Sequence, residues 1–243
     1  MREMTSFLID TTIGDYQVTT LITGGKWKEN CYLLHHVTTG ESVLIDPGED
    51  DQQISAVVQK WGGALRYILL THGHHDHVGA VAPLARKFGV AARVHRDDVR
   101  LLHHAPMYAK VFANRKIEMP IPYLVLDDQP DMQLGGRKVE VIPTPGHTSG
   151  SVCYVTCGMV FTGDTILFQH VGRNDLPGAD PQQLKTSIDH LMQRLPAETI
   201  ILPGHGRPWS MGEAQKWWRT ASLSLPQYFE PKAQRTILDV EAT

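Results

Sequence analysis

The sequence predicts a layered α/β fold, and two observations support this prediction. Short apolar runs bounded by turn residues alternate with segments whose apolar residues recur at a helical period, as in 67–70 followed by 78–88. Such alternation is typical of helices packed against a sheet rather than of an all-β architecture. With 243 residues, 42% of them hydrophobic and 20% charged, the chain is large enough to bury a full core.

The predicted strands are short runs of apolar and β-branched residues. They lie at 16–22, 31–36, 42–46, 67–70, 92–95, 138–142, 151–156, 158–161 and 199–202. The predicted helices each have one apolar face. They lie at 51–61, 81–88, from about Asp97 onward, 181–195 and 211–221. The helix at 81–88 must begin near Val81, because Pro83 is tolerated only in a first turn.

The segment 101–134 differs from the rest of the chain. It contains several prolines and aromatic residues and shows no sustained period. We expect it to form a lid over the functional site and to offer a substrate surface, and an irregular connection is the alternative. The tail at 232–243 is expected to be loosely held.

A dense group of metal-binding residue types follows the strand predicted at 67–70. The group falls within six residues and consists of His72, His74, Asp76 and His77. Neutral imidazoles combined with a carboxylate favour zinc, iron or manganese over calcium or magnesium. The sequence therefore predicts a metal site on the connection between this strand and the next helix.

Three later residues extend this pattern. His147, Asp164 and His205 each follow a predicted strand, and each has a glycine immediately before it. Glycine allows the backbone to turn tightly at the end of a strand. We expect these three side chains to join the earlier four.

The complete set of seven residues resembles the metal-ligand pattern of the metallo-β-lactamase superfamily. The flanking motifs Asn30-Cys31-Tyr32, Asp46-Pro47-Gly48, Gly172-Arg173-Asn174-Asp175 and Pro203-Gly204-His205-Gly206 resemble the glyoxalase II branch and its small relatives, including persulfide dioxygenases. The resemblance extends from about residue 17 to about residue 213. It implies a four-layer αββα sandwich, with two mixed β-sheets flanked by helices. The expected organisation is one such domain over 1–243, with a lid-like insertion near 101–134 and a short C-terminal helical tail.

The resemblance also implies how the metals are held. One site would use His72, His74 and His147, the other Asp76, His77 and His205, with the Asp164 carboxylate bridging the two. Two divalent ions are expected, with zinc favoured and iron or manganese as alternatives. Three protein ligands and a shared carboxylate leave each metal an open position, as catalytic sites require.

By the same resemblance, the expected reaction is hydrolysis of a thioester. The substrate would be an S-acylglutathione or an acyl-carrier thioester, attacked by a hydroxide held between the metals, with Asp76 and Asp164 as catalytic carboxylates. Asp164 disfavours antibiotic hydrolysis, because true β-lactamases lack this bridging acid. Two departures leave the thiol carrier open. Ser151 stands where the branch often has histidine, and the helical glutathione-binding extension of larger glyoxalase II enzymes is expected to be absent.

Other functions are kept as alternatives. A mononuclear iron persulfide dioxygenase would use His72, His147 and Asp164 as a facial triad. A non-catalytic protein that binds a partner is disfavoured by the intact set of seven residues. Nuclease activity is disfavoured because the net charge of −3 gives no basic face for nucleic acid.

Composition gives the remaining expectations. Residues 1–10 have no long apolar segment, so neither a signal peptide nor a membrane span is predicted. Three cysteines are too few, and odd in number, for a disulfide framework, which favours a cytoplasmic protein with reduced thiols. Arg173 and Asp175 are expected to lock the loop after Asp164 by a structural ion pair, and a functional role is the alternative. The sequence leaves the oligomeric state undetermined.

Overall fold

The computed structural model describes residues 9–25, 27–62, 64–126 and 131–224. The sixteen strands are β1 (Ile9–Ile13), β2 (Tyr16–Thr23), β3 (Glu29–His36), β4 (Glu41–Ile45), β5 (Ala64–Leu69), β6 (Ala92–His95), β7 (Tyr123–Leu126), β8 (Gln133–Leu134), β9 (Arg137–Lys138), β10 (Glu140–Pro143), β11 (Val152–Thr156), β12 (Met159–Gly163), β13 (Ile166–Leu167), β14 (His170–Val171), β15 (Ile200–Pro203) and β16 (Trp209–Ser210). The six helices are α1 (Asp51–Lys60), α2 (His75–Val78), α3 (Val81–Phe88), α4 (Val99–Ala113), α5 (Pro181–Arg194) and α6 (Met211–Ser224).

Two mixed sheets organise the described residues. The larger sheet has the order β1-β2-β3-β4-β5-β6-β7, antiparallel as far as β4 and parallel from β4 to β7. The smaller sheet has the order β10-β11-β12-β15-β16, in which β12 and β15 form the parallel pair. The pairs β8–β9 and β13–β14 form two small hairpins.

Three apolar cores separate four layers. Along β3, Cys31 and Leu33 pack with the helices of the first half, whereas Tyr32 and Leu34 face the smaller sheet. This alternation follows from the two-residue period of a strand that is covered on both faces. In the smaller sheet, Cys153 packs with apolar residues of α5 and α6 in the third core. The predicted four-layer αββα sandwich with two mixed sheets is therefore confirmed.

The first part of the segment 101–134 is regular, contrary to expectation. Helix α4 continues to Ala113 with Pro106 inside it, and β7 adds a further strand to the larger sheet. The helix is anchored by a buried stripe of Leu102, Ala105 and Ala109. Two of these three residues are alanines, so the helical period of apolar residues is weak in the sequence. In addition, Pro106 suggests a break in the helix. The alternative of an irregular connection was therefore wrong for α4.

Most other predicted elements are present. Pro83 lies in the first turn of α3, and Asp180 caps α5 by accepting hydrogen bonds from Gln182 N and Gln183 N. The expectation for the tail at 232–243 lies outside the described residues. In the part of the chain that is described, no helix combines the length and apolarity needed to cross a bilayer.

Candidate metal centre

The ends of four strands deliver the predicted ligands to one place. The loop after β5 and the short helix α2 carry residues 72–77, and the connections after β10, β12 and β15 carry His147, Asp164 and His205. Hydrogen bonds between the sheets fix this arrangement: Val152 N donates to the Thr71 carbonyl at 2.9 Å, and the Tyr154 hydroxyl donates to the Leu70 carbonyl at 2.8 Å. The end of β5 is thus held against β11.

The seven predicted side chains come together as two groups of three joined by one carboxylate. The first group is His72, His74 and His147, and the second is Asp76, His77 and His205. Within each group the donor atoms lie within 4.8 Å of one another. The Asp164 carboxylate lies between the groups. Its Oδ2 is 3.6 Å from His147 Nε2, and its Oδ1 is 3.6 Å from His205 Nε2. Asp164 is therefore placed to reach both groups.

Hydrogen bonds at the far side of the rings set the histidine tautomers. His147 Nδ1 donates to the Arg173 carbonyl at 2.7 Å, and His205 Nδ1 donates to the Trp27 carbonyl at 3.0 Å. A carbonyl can only accept, so the proton of each neutral ring is on Nδ1 and the Nε2 lone pair is free. His77 Nδ1 lies 3.1 Å from a carboxylate oxygen of Asp46, which fixes the same tautomer. These rings are prepared to bind through Nε2.

Several buried polar atoms fit a bound cation. His72 Nε2, His77 Nε2 and Asp164 Oδ1 are shielded from solvent and have no hydrogen-bond partner. His74 Nδ1 and His147 Nε2 face each other at 2.9 Å, so their lone pairs repel unless a proton or a cation lies between them. Unpartnered buried polar atoms are costly, and these three belong to predicted metal ligands. The residues present therefore fit a divalent metal.

The ionisation states of His72, His74, Asp76 and Asp164 are also those that metal binding requires. For His77 and His205, although burial opposes it, the nearby carboxylates of Asp164 and Asp76 raise the pKa, so these two rings would release a proton when a metal binds. Burial and the neighbouring His147 lower the pKa of His74 to about 3, so this imidazole is neutral. Burial and the nearby His77 hold the pKa of His72 well below its usual range. Although burial opposes ionisation, the surrounding histidines keep the pKa of both Asp76 and Asp164 below the ordinary value. Neutral imidazoles and ionised carboxylates are the ligand forms.

Glycines before the ligands allow the close approach that the sequence suggested. Gly146 has a φ of 139°, a region that disfavours other residues. A Cβ atom at Gly204 would overlap Asp164 Oδ1. The backbone before His205 thus approaches the carboxylate more closely than any side chain would permit.

An open cleft leads to the donor atoms. It has a volume of about 450 Å³, and five of the predicted ligands are among its lining residues. The other lining residues are mostly aliphatic and aromatic, and they come from α4 and from the segment after Asp164. A molecule of moderate size can therefore reach the donors along apolar walls.

Comparison with known proteins identifies the family. A family model described as "Metallo-beta-lactamase superfamily" matches residues 24–205. The chain belongs to the metallo-β-lactamase superfamily. Family membership together with the clustered histidines and aspartates makes it a metal-dependent hydrolase that binds divalent metal.

Two relatives illustrate the range of this superfamily. An uncharacterized protein of Mycobacterium tuberculosis, Rv2581c, is 33% identical over 215 residues, which cover 81% of this chain and 96% of that protein. The hydroxyacylglutathione hydrolase GloC of Haemophilus influenzae is 29% identical over 194 residues, covering 78% of this chain and 91% of that protein. The predicted likeness to glyoxalase II thus has one named representative among these relatives.

Three crystal structures are similar to this chain in fold. The BLEG-1 B3 metallo-β-lactamase superposes with a TM-score of 0.75 at 30% identity, covering 82% of this chain and 96% of that one. TTHA1623 in a di-iron-bound form has a TM-score of 0.71 at 39% identity, covering 80% and 96%. ETHE1 from Myxococcus xanthus has a TM-score of 0.64 at 20% identity, covering 93% and 95%, and shows the fold alone.

Two residues of this metallo-β-lactamase-superfamily site were missed as site residues. Asp46 accepts hydrogen bonds from Thr71 N and Oγ1 at 2.7 and 2.6 Å, in addition to the contact with His77. An oxygen of Asp46 also lies within 4.8 Å of ring nitrogens of His72 and His77. Because both Asp46 oxygens already accept hydrogen bonds from Thr71 and His77, we assign Asp46 to orienting the His77 ring and not to binding a metal. Its only sequence signal was the motif Asp46-Pro47-Gly48.

The second missed residue is Asp98, which is buried beneath the ligand loops. Its carboxylate accepts from Gly73 N at 2.7 Å, from the Thr148 hydroxyl at 2.8 Å and from Gly150 N at 2.8 Å. It therefore ties the loop that carries His72 and His74 to the loop that carries His147. No motif in the sequence marked it.

Arg173, Asp175 and three further histidines near the site also have identifiable places. The predicted Arg173–Asp175 ion pair is confirmed, with an Nε–Oδ1 distance of 3.0 Å. His170 and His75 line the cleft without joining either donor group. His103 instead contacts the Tyr123 hydroxyl at 2.8 Å.

Proposed function

We propose that this protein hydrolyses thioesters with two divalent metal ions, zinc in the first instance. The observation that carries the proposal is the arrangement of seven donors as two groups of three bridged by the Asp164 carboxylate. His72, His74 and His147 would hold one ion, and Asp76, His77 and His205 the other. Bound divalent ions supply an activated water near neutral pH and polarise a carbonyl.

The residues of the chain contribute orientation and charge. The Arg173 and Trp27 carbonyls and the Asp46 carboxylate hold three imidazoles with Nε2 toward the centre. The carboxylates of Asp76 and Asp164 balance the positive charge of the ions. The apolar walls of the cleft exclude bulk water around the carbonyl group of a substrate.

Three further points support this proposal. Among the described residues that line the cleft there is no serine, threonine or cysteine, so no side-chain nucleophile of these types competes with water. Thioester hydrolysis releases a thiolate, which is a good ligand for zinc or iron. The similarity to GloC supports the same substrate class.

Metal analysis and a thioester assay test this proposal. We expect about two metals per chain. We also expect hydrolysis of S-lactoylglutathione or of another acyl thioester, measured as the release of thiol. Asp164→Asn should reduce turnover by at least about 100-fold, because outer or shared ligands commonly contribute 10- to 100-fold or more. Asp131→Asn, at an exposed aspartate outside the donor groups, is the matched control. Fewer than about one metal per chain, or unchanged turnover in Asp164→Asn, would refute the proposal.

A β-lactam belongs in the same experiment, because BLEG-1 is 30% identical and is a B3 metallo-β-lactamase. We expect nitrocefin to be a much poorer substrate than a thioester, since a carboxylate occupies the bridging place. Faster hydrolysis of nitrocefin than of every thioester would reverse this assignment.

Iron-dependent persulfide oxidation is a second candidate, and the di-iron form of the 39% identical TTHA1623 favours iron as a metal to be tested. The triad would be His72, His147 and Asp164, of which His147 Nε2 and Asp164 Oδ2 lie 3.6 Å apart. This triad leaves the donor atoms of Asp76, His77 and His205 unused, which favours the hydrolase. Oxygen uptake with glutathione persulfide by the iron-loaded protein, and none with zinc, would select the oxygenase.

The expectations of a cytoplasmic location and of no nucleic-acid or membrane partner stay predictions.

A further inference from the structure

One wall of the cleft is an apolar face of helix α4. Leu101, Tyr108 and Phe112 are separated by seven and four residues, which places them on one side of a helix. The rings of Tyr108 and Phe112 stack with centroids 5.8 Å apart and an interplanar angle of 22°. Phe112 is nevertheless 55% exposed. This wall offers apolar surface that a ligand can cover.

A second wall of the cleft is also apolar. It is formed by Leu167 of the β13–β14 hairpin and by Leu176 and Pro177 of the connection to α5. Both walls lead down to the donor atoms of His147 and Asp164. A substrate whose carbonyl reaches these donors must therefore place its neighbouring groups between two hydrocarbon surfaces.

The charges of the cleft do not match a carrier rich in carboxylates. Among the described lining residues, Arg173 is the only lysine or arginine, and its guanidinium is engaged with Asp175. The carboxylates of Asp76 and Asp164 also line the cleft, and the two metal ions of the proposed reaction would balance their charge. The walls thus select by apolar contact more than by ion pairing.

We propose, building on the thioester hydrolysis proposed above, that this enzyme is specific for apolar acyl groups. The acyl group would be an aliphatic chain of about six to ten carbons or an aromatic ring, a size that suits a cleft of this class. It lies between the α4 face and the wall formed by Leu167, Leu176 and Pro177. Small hydroxylated acyl groups such as lactoyl are poorer substrates.

A series of N-acetylcysteamine thioesters tests this specificity on the metal-loaded protein. From butyryl to octanoyl, kcat/KM should rise about threefold to fourfold per methylene, because each buried CH₂ contributes about 0.8 kcal/mol. The lactoyl thioester should fall below the hexanoyl one. A kcat/KM that does not change with chain length, while thioesters are still hydrolysed, overturns the specificity and leaves the thioesterase assignment intact.

Substitutions in the walls locate the effect. Phe112→Ala and Leu176→Ala should each flatten the dependence of kcat/KM on acyl chain length. Val111→Ala is the matched control, because Val111 is adjacent to Phe112 on α4, is 67% exposed and does not line the cleft. Equal flattening in Val111→Ala would contradict the assigned wall.

A binding measurement separates this inference from the proposed reaction. Calorimetry with S-octyl- and S-ethyl-N-acetylcysteamine, thioethers that cannot be hydrolysed, should show at least tenfold tighter binding of the octyl compound, and Phe112→Ala should reduce the difference. Tighter octyl binding without any thioester turnover would reject the thioesterase and keep the apolar selectivity of the cleft. Equal binding of the two thioethers would reject the selectivity.

Discussion

The Asp46→Asn substitution should weaken metal binding at one group of donors more than at the other. In the wild type, Asp46 Oδ1 accepts from Thr71 N, and Oδ2 accepts from the Thr71 hydroxyl and from His77 Nδ1. An amide keeps one acceptor oxygen, which the backbone N–H of Thr71 requires. The new amide N–H then faces His77 Nδ1 and favours the ring tautomer with its proton on Nε2. That tautomer cannot bind a metal through Nε2.

The expected magnitude follows from the role of the hydrogen bond. Loss of a group that orients a metal-binding histidine typically weakens metal affinity by about 10- to 100-fold. This corresponds to about 1.4–2.7 kcal/mol at the group formed by Asp76, His77 and His205. In the group formed by His72, His74 and His147, His147 keeps its contact with the Arg173 carbonyl. Asp46 reaches this group only through the Thr71 hydroxyl, which lies 3.0 Å from His72 Nδ1, so the affinity there should fall less.

Metal content measured at a buffered concentration of free zinc tests this prediction. The wild type should retain about two ions per chain and Asp46→Asn about one, with thioester turnover falling in parallel. Thermal unfolding followed by circular dichroism shows whether the variant is folded, and Asp131→Asn controls for a surface change of the same kind. A folded Asp46→Asn protein that binds both ions with wild-type affinity would refute the reasoning.

Three further predictions concern the support of the site. Asp98→Asn should lower the free energy of unfolding by about 1–3 kcal/mol, because the buried N–H of Gly150 loses its acceptor. The control is Asp97→Asn at the exposed neighbouring residue, which should leave the melting temperature nearly unchanged. Removal of metal with EDTA should lower the melting temperature, and added zinc should restore the melting temperature. The reason is that a ligand at 100 times its Kd stabilises the native state by about 2.7 kcal/mol. Gly204→Ala should cost about 1–3 kcal/mol and reduce metal retention, because the added methyl group overlaps Asp164 Oδ1. Wild-type stability and metal content in Gly204→Ala would show that the backbone can shift there.

The parts of the fold that could be predicted are those with a strong local pattern. Strands such as β5 and helices such as α5 have clear apolar runs, and the seven clustered side chains have chemically distinctive types. Helix α4 was missed beyond its start because its buried stripe depends on two alanines and it accommodates Pro106. Its cleft-facing aromatic residues were noticed, but only the packed structure shows that they share one face.

The supporting residues could not be predicted for a different reason. Asp46 and Asp98 act on residues 25 or more positions away, through contacts such as that between Asp98 and Thr148, which are 50 positions apart. Asp97 and Asp98 are neighbours of identical chemistry, yet the first is exposed and the second is buried. Only the tertiary arrangement distinguishes them.

The division of the donors between the two halves of the chain links metal loading to assembly. Each group of three takes two donors from the half that contains the larger sheet and one, His147 or His205, from the half that contains the smaller sheet. Neither half could bind either ion fully if it were expressed alone. Two complementary fragments, cut between 126 and 131, should therefore reassociate far more tightly when zinc is present, with the ions acting as cross-links between the sheets.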